Sequence, residues 1–170
     1  MKIISGKFGS RKIITSKKLL YRPTKSRVRK SLFDTLNPYN YENVLDLFAG
    51  SGILGFEAAS RGGSDITFVE NDYKIMGKIK KNALLLEGPS YNFIVDNVFS
   101  FIQSTKNRFD LIFADPPYEK YDLSLLIKQI PTLLNTNGKF ILECTKNQNL
   151  LDGVKYVDYG TSRIFIWENS

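Results

Sequence analysis

The chain has 170 residues, of which 42% are hydrophobic, so it is long enough for one domain with a sizeable core. It has no histidine and one cysteine, Cys144, which together exclude an internal disulfide, a Ser-His-Asp triad and a structural zinc site. No apolar run approaches the roughly 20 residues that cross a bilayer, and the opening residues lack the apolar core of a signal peptide. We therefore expect a cytoplasmic protein with no metal and no membrane contact.

The net charge of +7 is unevenly distributed along the chain. The first 33 residues hold eleven of the 24 Lys and Arg residues and no acid, whereas the rest holds 13 basic and 17 acidic residues, a net charge of −4. A basic arm on a mildly acidic body is typical of polyanion binding. The alternative is a solvated, disordered tail, but the arm carries folding signals, which favour nucleic acid as its partner.

The basic arm contains patterns for a hairpin and a helix. Two short segments, 2–8 and 11–15, flank Gly9-Ser10, which predicts a hairpin turn. Thr24 is the predicted N-cap of a helix that Asn37-Pro38 ends, because the residue before a proline avoids helical geometry. The predicted buried stripe of this helix comprises Val28, Leu32, Phe33 and Leu36, with Arg27, Arg29 and Lys30 largely off it.

From residue 43 onward, strand and helix patterns alternate. The predicted strands are 44–48, 66–70, 91–95, 109–114, 139–144, 154–159 and 163–167. Helices are predicted at 53–60, 73–86, 98–104 and 123–134, with a weak one near Asn149. Repeated β-α units predict an α/β, Rossmann-like fold with a mainly parallel seven-stranded sheet. Because only Gly160-Thr161-Ser162 separates the last two strands, these should form an antiparallel C-terminal hairpin.

A glycine-rich turn, Asp46-Leu47-Phe48-Ala49-Gly50-Ser51-Gly52, closes the first of these strands. Residues 50–55 match G-x-G-x-x-G, and Glu70 lies 20 residues after Gly50, where it can take ribose hydroxyls. This pattern alone fits several nucleotide cofactors. Asp46 favours S-adenosylmethionine, because a carboxylate here can pair with an ammonium but would repel the pyrophosphate of NAD. The alternative role for Asp46 is to cap the following turn.

The predicted cofactor site extends to the turn after the third strand. Asp96 is placed to accept a hydrogen bond from the adenine amino group, and its alternative role is the N-cap of the helix at 98–104. The full set of predicted cofactor residues is Asp46, Phe48, Ala49, Gly50, Gly52, Glu70, Asn71, Asp96 and Asn97.

The predicted catalytic residues are Asp115, Pro116, Pro117 and Tyr118, which follow an apolar strand. An exocyclic base amine is a poor nucleophile because its lone pair is shared with the ring. Asp115 and the Pro116 carbonyl can each accept one N–H, and the prolines fix the backbone that presents them. Tyr118 offers a ring for stacking an extruded base. A plain surface turn is the alternative, which the upstream glycine turn disfavours.

These motifs resemble the bacterial 16S ribosomal RNA guanine-N2 methyltransferases that act on the small subunit. The resemblance rests on Ile3-Ile4-Ser5-Gly6-Lys7, Arg11-Lys12, Arg22-Pro23-Thr24, Arg27-Val28-Arg29, Leu32-Phe33, the glycine turn, Ser60-Arg61-Gly62, Phe68-Val69-Glu70 and Asp115-Pro116-Pro117-Tyr118. It implies a class I methyltransferase domain at 41–170, a basic RNA-binding extension at 1–40, S-adenosylmethionine as cofactor and 16S rRNA within the small ribosomal subunit as partner. We expect a monomer that contacts RNA through Lys7, Arg11, Lys12, Arg22 and Arg27, unless Arg22 or Arg27 pairs within the fold.

Four alternatives share part of this evidence. A DNA adenine-N6 methyltransferase also uses Asp-Pro-Pro-Tyr, but no insertion here is long enough for a separate base-reading segment. A glutamine-modifying methyltransferase favours Asn in place of Asp115. A nicotinamide dehydrogenase fits the glycine pattern but neither Asp46 nor the basic arm. A non-catalytic RNA-binding protein would leave both motifs unexplained.

Overall fold

The sheet has seven strands in the order β3-β2-β1-β4-β5-β7-β6. The computed structural model describes residues 1–15, 26–117 and 123–169. The strands are β1 (Asn43–Leu47), β2 (Asp65–Glu70), β3 (Ser90–Val95), β4 (Phe109–Ala114), β5 (Leu134–Thr145), β6 (Lys155–Tyr159) and β7 (Ser162–Glu168). The helices are α1 (Ser26–Thr35), α2 (Ile53–Arg61), α3 (Tyr73–Ala83), α4 (Val98–Ser104) and α5 (Leu123–Gln129), with a 3₁₀ turn at Ile130–Leu133.

The topology confirms the predicted α/β, Rossmann-like fold with a mainly parallel seven-stranded sheet and a C-terminal antiparallel hairpin. Strands β1 to β5 pair in parallel, whereas β7 runs antiparallel to both β5 and β6. The chain leaves β1 toward β2 and β3 on one side, then returns to place β4 on the other side of β1. Ligands of such sheets bind outside the carboxyl ends of the strands at this reversal point.

Alternating side chains build one core on each face of the sheet. The face covered by α1, α2 and α3, here called the α1–α3 face, buries Val44, Phe68, Phe113 and Ile141. The opposite face, covered by α4 and α5, buries residues of the alternate set such as Leu45, Val69, Ile112 and Leu142. The period of two along each strand therefore decides which face every strand residue occupies.

The N-terminal segment packs against α2 rather than extending from the domain. Ile3, Phe8 and Ile13 are buried in the α1–α3 core. The predicted hairpin has an antiparallel bridge between Lys2 and Lys12, and backbone hydrogen bonds such as Ile3 N–H to Arg11 also join its arms. Its turn spans residues 5–10 instead of being confined to Gly9-Ser10. Gly6 lies within this longer turn, and glycine is required there because its φ is 82° and a Cβ would lie 1.9 Å from the carbonyl oxygen of Ser60.

The sequence pattern predicted that Arg29 lies largely off the buried stripe of α1, and this prediction was wrong. Its side chain is 2% exposed, and its Nη2 donates a hydrogen bond to the carbonyl of Lys2 at 2.7 Å. Its Nε lies 3.5 Å from Oε2 of the fully buried Glu57, whose Oε1 is 3.2 Å from Nη2 of Arg61. A buried acid on another helix thus draws this cation inward, which a pattern of apolar residues within α1 cannot reveal.

Other predicted boundaries shift at their ends. The helix predicted at 123–134 ends at Gln129 and continues as a 3₁₀ turn, because Pro131 lacks the N–H that an α-helix needs. The weak helix predicted near Asn149 was wrong, and turns and irregular backbone occupy that stretch. The predicted N-cap, Thr24, lies outside the described residues. Among the helices of the described ranges, none is long and apolar enough to cross a membrane.

Candidate active site

Four carboxylates lie side by side at the carboxyl ends of adjacent strands. Asp46 on β1 pairs in register with Phe68 on β2 and with Phe113 on β4. Since side chains alternate, Asp46, Glu70 and Asp115 share the α1–α3 face, and Glu143 on β5 shares it with Ile141. We call these four residues, in the strand order β2-β1-β4-β5, the carboxylate row. Three of its members were predicted as site residues, whereas Glu143 was not.

The glycine turn follows β1 with an unusual backbone. Phe48, Gly50 and Gly52 have positive φ values of 55°, 54° and 73°. The backbone N–H of Gly52 donates to the carbonyl of Ala49 at 2.7 Å, which closes the turn at the N-terminus of α2. Three left-handed residues within five positions turn the chain sharply and leave backbone groups at the sheet edge.

Glu70 holds this turn to β2. Its Oε2 accepts a hydrogen bond from the backbone N–H of Gly50 at 3.0 Å, and its Oε1 accepts one from Asp72 at 3.0 Å. Glu70 is 8% exposed. Glu70 thus contacts the glycine turn and has a structural role there, while its predicted contact with ribose hydroxyls stays a prediction.

Asp46 fastens α2 to the first strand. Its Oδ2 accepts a hydrogen bond from the backbone N–H of Gly55 at 3.0 Å, and the residue is 3% exposed. Burial raises the pKa of Asp46 to about 8, the charge of Glu70 adds to this effect, and the bond from Gly55 opposes it. An uncharged Asp46 in the free protein is poised to ionise when a cation arrives.

The turn after β3 presents Asp96 at the same edge. Asp96 is partly exposed, and its Oδ1 accepts a hydrogen bond from the backbone N–H of Asn97 at 2.7 Å. Asn97 caps α4 by accepting from the N–H of Phe99 at 2.9 Å, so the alternative role of Asp96 as the N-cap was wrong. Asn71, another predicted cofactor residue, is exposed just before α3.

Asp115 follows β4 in the middle of the row. Burial raises the pKa of Asp115 well above its ordinary value, and the charges of Glu143 and then Asp46 raise it further. Its side chain keeps part of its surface accessible, so solvent moderates the burial effect. Pro116 is buried and Pro117 is exposed, while Tyr118 lies outside the described residues.

The predicted RNA-binding residues fall into two groups. Lys7 donates a hydrogen bond to the carbonyl of Glu87 at 3.0 Å, and Arg11 donates one to the carbonyl of Leu85. Both carbonyls follow the C-terminal end of α3. Because α3 begins next to the carboxylate row, its C-terminal end lies away from that row. Lys12 is also exposed in this segment.

Arg27 belongs to the second group. It is exposed on the first turn of α1, whose Ser31 hydroxyl lies 2.6 Å from the Tyr159 hydroxyl. Tyr159 pairs with Ser162, which pairs in turn with Thr145, two residues beyond Glu143. The middle of α1 therefore contacts the hairpin at the edge that carries the carboxylate row. Arg22 lies outside the described residues.

Known proteins share both the sequence and the fold of this chain. Residues 1–165 match the family model described as Conserved hypothetical protein 95. The Ribosomal RNA small subunit methyltransferase D of Haemophilus influenzae is 36% identical over 160 residues, covering 89% of this chain and 82% of that protein. A structure described as a putative methyltransferase of Escherichia coli superposes with a TM-score of 0.86 at 26% identity, covering 99% and 97% of the two chains.

A more distant structure supports the same fold. A Thermus thermophilus 16S rRNA N2 methyltransferase in complex with AdoMet and guanosine gives a TM-score of 0.71 at 19% identity, over 91% of this chain and 45% of that one. The family model covers nearly the whole chain and the curated relative exceeds 30% identity over most of it. The chain belongs to the Conserved hypothetical protein 95 family, whose architecture here is that of the S-adenosylmethionine-dependent methyltransferases.

Proposed function

We propose that this protein is an S-adenosylmethionine-dependent enzyme that methylates the exocyclic N2 amine of one guanine in 16S rRNA. The observation that carries the proposal is the position of Asp115-Pro116-Pro117 between a glycine turn on one side and Glu143 on the other. The name of the Haemophilus influenzae relative supports rRNA of the small subunit as the substrate.

The residues of the glycine-turn edge fit this cofactor by their chemistry. S-adenosylmethionine carries an ammonium, two ribose hydroxyls and an adenine amino group, all of them donors. The acceptors available are Asp46 for the ammonium, Glu70 for the ribose and Asp96 for the amino group. A pyrophosphate needs cations or several donors rather than three neighbouring acids, which argues against the dehydrogenase alternative. When bound, the cofactor supplies an electrophilic methyl group, so no metal or covalent enzyme intermediate is needed.

The catalytic work left to the protein is to position and activate the amine. We infer that Asp115 and the carbonyl of Pro116 each accept one N–H of the amine, which directs its lone pair toward the cofactor crevice. Pro116 and Pro117 have a fixed φ, which holds the Pro116 carbonyl rigidly next to Asp115. The Asp115 carboxylate can also receive the proton that the amine loses. In this proposal Tyr118 stacks on the extruded base.

RNA binding is assigned to residues 1–40 and methyl transfer to residues 41–170. The charge of the arm supports this division, since it has no acid before Asp34. Arg27 lies on α1, which contacts the C-terminal hairpin beside the carboxylate row. Lys7, Arg11 and Lys12 would contact RNA that extends past α3. Arg22 completes the proposed set. We propose that the enzyme acts as a monomer in the cytoplasm on rRNA within small ribosomal subunits.

The experiment that tests this function compares three substrates. Labelled methyl transfer from S-adenosylmethionine is measured to unmodified small subunits, to naked 16S rRNA and to duplex DNA, and the product nucleoside is identified by mass. N2-methylguanosine at one rRNA position is the expected result. N6-methyladenine in DNA would favour the DNA methyltransferase alternative, and no transfer to any substrate would contradict the proposal.

A further inference from the structure

Glu143 is a buried acid that the proposed reaction has not yet used. It is 9% exposed and lies near the carboxyl end of β5. Its neighbours Leu142 and Cys144 point into the α4–α5 core, whereas Ile141 points into the α1–α3 core. By alternation Glu143 faces the α1–α3 side, as does Asp115, two residues beyond Phe113.

The strand register places Glu143 directly beside Asp115. Ala114 on β4 pairs with Leu142 on β5, so the next residue on each strand stands at the same level. Neighbouring strands lie roughly 4.8 Å apart, so both carboxylates can reach one planar ligand at the sheet edge. The two acids of the cofactor site, Asp46 and Glu70, lie on the opposite side of Asp115. Glu143 thus borders the side on which the target base should lie.

Burial raises the pKa of Asp115, and the charge of Glu143 raises it further, so the two neighbouring acids repel each other. A ligand that offers two neighbouring donors would relieve this repulsion. Guanine is such a ligand, because its Watson–Crick edge presents N1–H beside the N2 amine. Adenine and cytosine instead present a ring-nitrogen acceptor beside their amines, which an ionised carboxylate repels.

We propose that Glu143 determines the specificity for guanine by accepting the N1–H while Asp115 accepts an N–H of the N2 amine. This inference rests on the proposed function and assigns the reading of the base to one residue of the row. Glu143 then has two effects. It rejects bases with an acceptor next to the amine, and it sets the in-plane orientation in which the N2 amine faces the cofactor crevice.

The test uses 2-aminopurine, which keeps the 2-amine but has an acceptor at N1. It replaces guanine at the methylated position of an rRNA substrate, and kcat/KM is measured for both bases. For the wild type we expect guanine to be favoured about 10- to 100-fold, the usual value of a hydrogen bond to a charged group. In Glu143→Gln, kcat/KM for guanine should fall by a similar factor. Activity on 2-aminopurine should not fall, because the amide N–H can donate to N1.

Glu168→Gln is the matched control, since it makes the same change on β7 at the opposite end of the β5–β7 pair, beside Lys139. Its preference for guanine should equal that of the wild type. Equal losses on both bases in Glu143→Gln would overturn the inference and leave the proposed function intact. Equal rates of the wild type on the two bases would also overturn it, without need of a variant. Absence of N2-methylguanosine with the wild type would overturn the proposed function itself.

Discussion

The buried Asp46 carboxylate accepts a hydrogen bond from the backbone N–H of Gly55 at 3.0 Å, which ties the end of β1 to the first turn of α2. The same acid stands between Glu70 and Asp115 in the carboxylate row. One residue thus joins β1 to α2 and keeps a proton that a cationic ligand can displace. This double role has consequences for stability and for binding.

Asp46→Asn should stabilise the free protein at alkaline pH. The pKa of Asp46 is about 8 in the folded state against an ordinary 3.8, so the unfolded state binds fewer protons between these values. Stability of the wild type should therefore fall as pH rises from about 4 to 8. Asparagine does not ionise, so this fall in stability should be absent, and its side-chain oxygen can still accept the hydrogen bond from the Gly55 N–H. Melting temperatures across this range should diverge between the two proteins as pH rises, and parallel curves would contradict the raised pKa.

Cofactor binding should release protons. If the ammonium of S-adenosylmethionine pairs with Asp46, the complex favours the ionised carboxylate and lowers its pKa from about 8. Affinity should then increase with pH up to this value. Titration calorimetry at pH 7 in two buffers of different ionisation enthalpy should give different binding heats. The difference should disappear in Asp46→Asn, and identical heats for the wild type would place the ammonium elsewhere.

Glu57→Ala should strongly destabilise the fold. The Glu57 carboxylate accepts from the backbone N–H groups of Ile4 and Ser5 at 2.8 and 3.1 Å and pairs with Arg29 and Arg61. Its loss leaves Arg29 buried without a countercharge, at about 3–5 kcal/mol. The free energy of unfolding can be measured in urea.

The control for Glu57→Ala uses an exposed ion pair on α1, in which Lys30 Nζ lies 2.8 Å from Asp34 Oδ2. Lys30→Ala should change the unfolding free energy by about 0.5 kcal/mol or less. A similar, small effect for Glu57→Ala would mean that the N-terminal segment does not depend on this acid.

Two glycines should respond oppositely to alanine. Gly6→Ala introduces a Cβ that would lie 1.9 Å from the Ser60 carbonyl, at a residue with φ of 82°, so the segment must move off α2. We expect a loss of more than about 2 kcal/mol. Gly77 lies within α3 with nothing within 4 Å of an added Cβ, so Gly77→Ala should stabilise by up to about 1 kcal/mol. If the melting temperatures of Gly6→Ala and Gly77→Ala shift in the same direction, the expected opposite effects are contradicted.

The sheet and most of the site could be predicted from sequence because both follow short-range patterns. The period of two marked the strands, and the glycine turn and Asp115 follow directly after them. Glu143 was missed because an acid at the end of an apolar strand looks like a solvent-facing residue until the register with β4 is known. Arg29 was misplaced for a similar reason, since its partner Glu57 is on another helix. What escaped prediction depends on contacts between distant segments.

Whether Asp115 positions a guanine amine is tested by methyl transfer to unmodified small ribosomal subunits, with the wild type and Asp115→Ala compared and the labelled nucleoside identified by mass. The wild type should yield N2-methylguanosine. Asp115→Ala should lose at least about 10²-fold of the rate, since an acceptor that positions the amine is removed, while its RNA affinity stays unchanged. Transfer by Asp115→Ala at the wild-type rate, or label on a base other than guanine, would contradict the account.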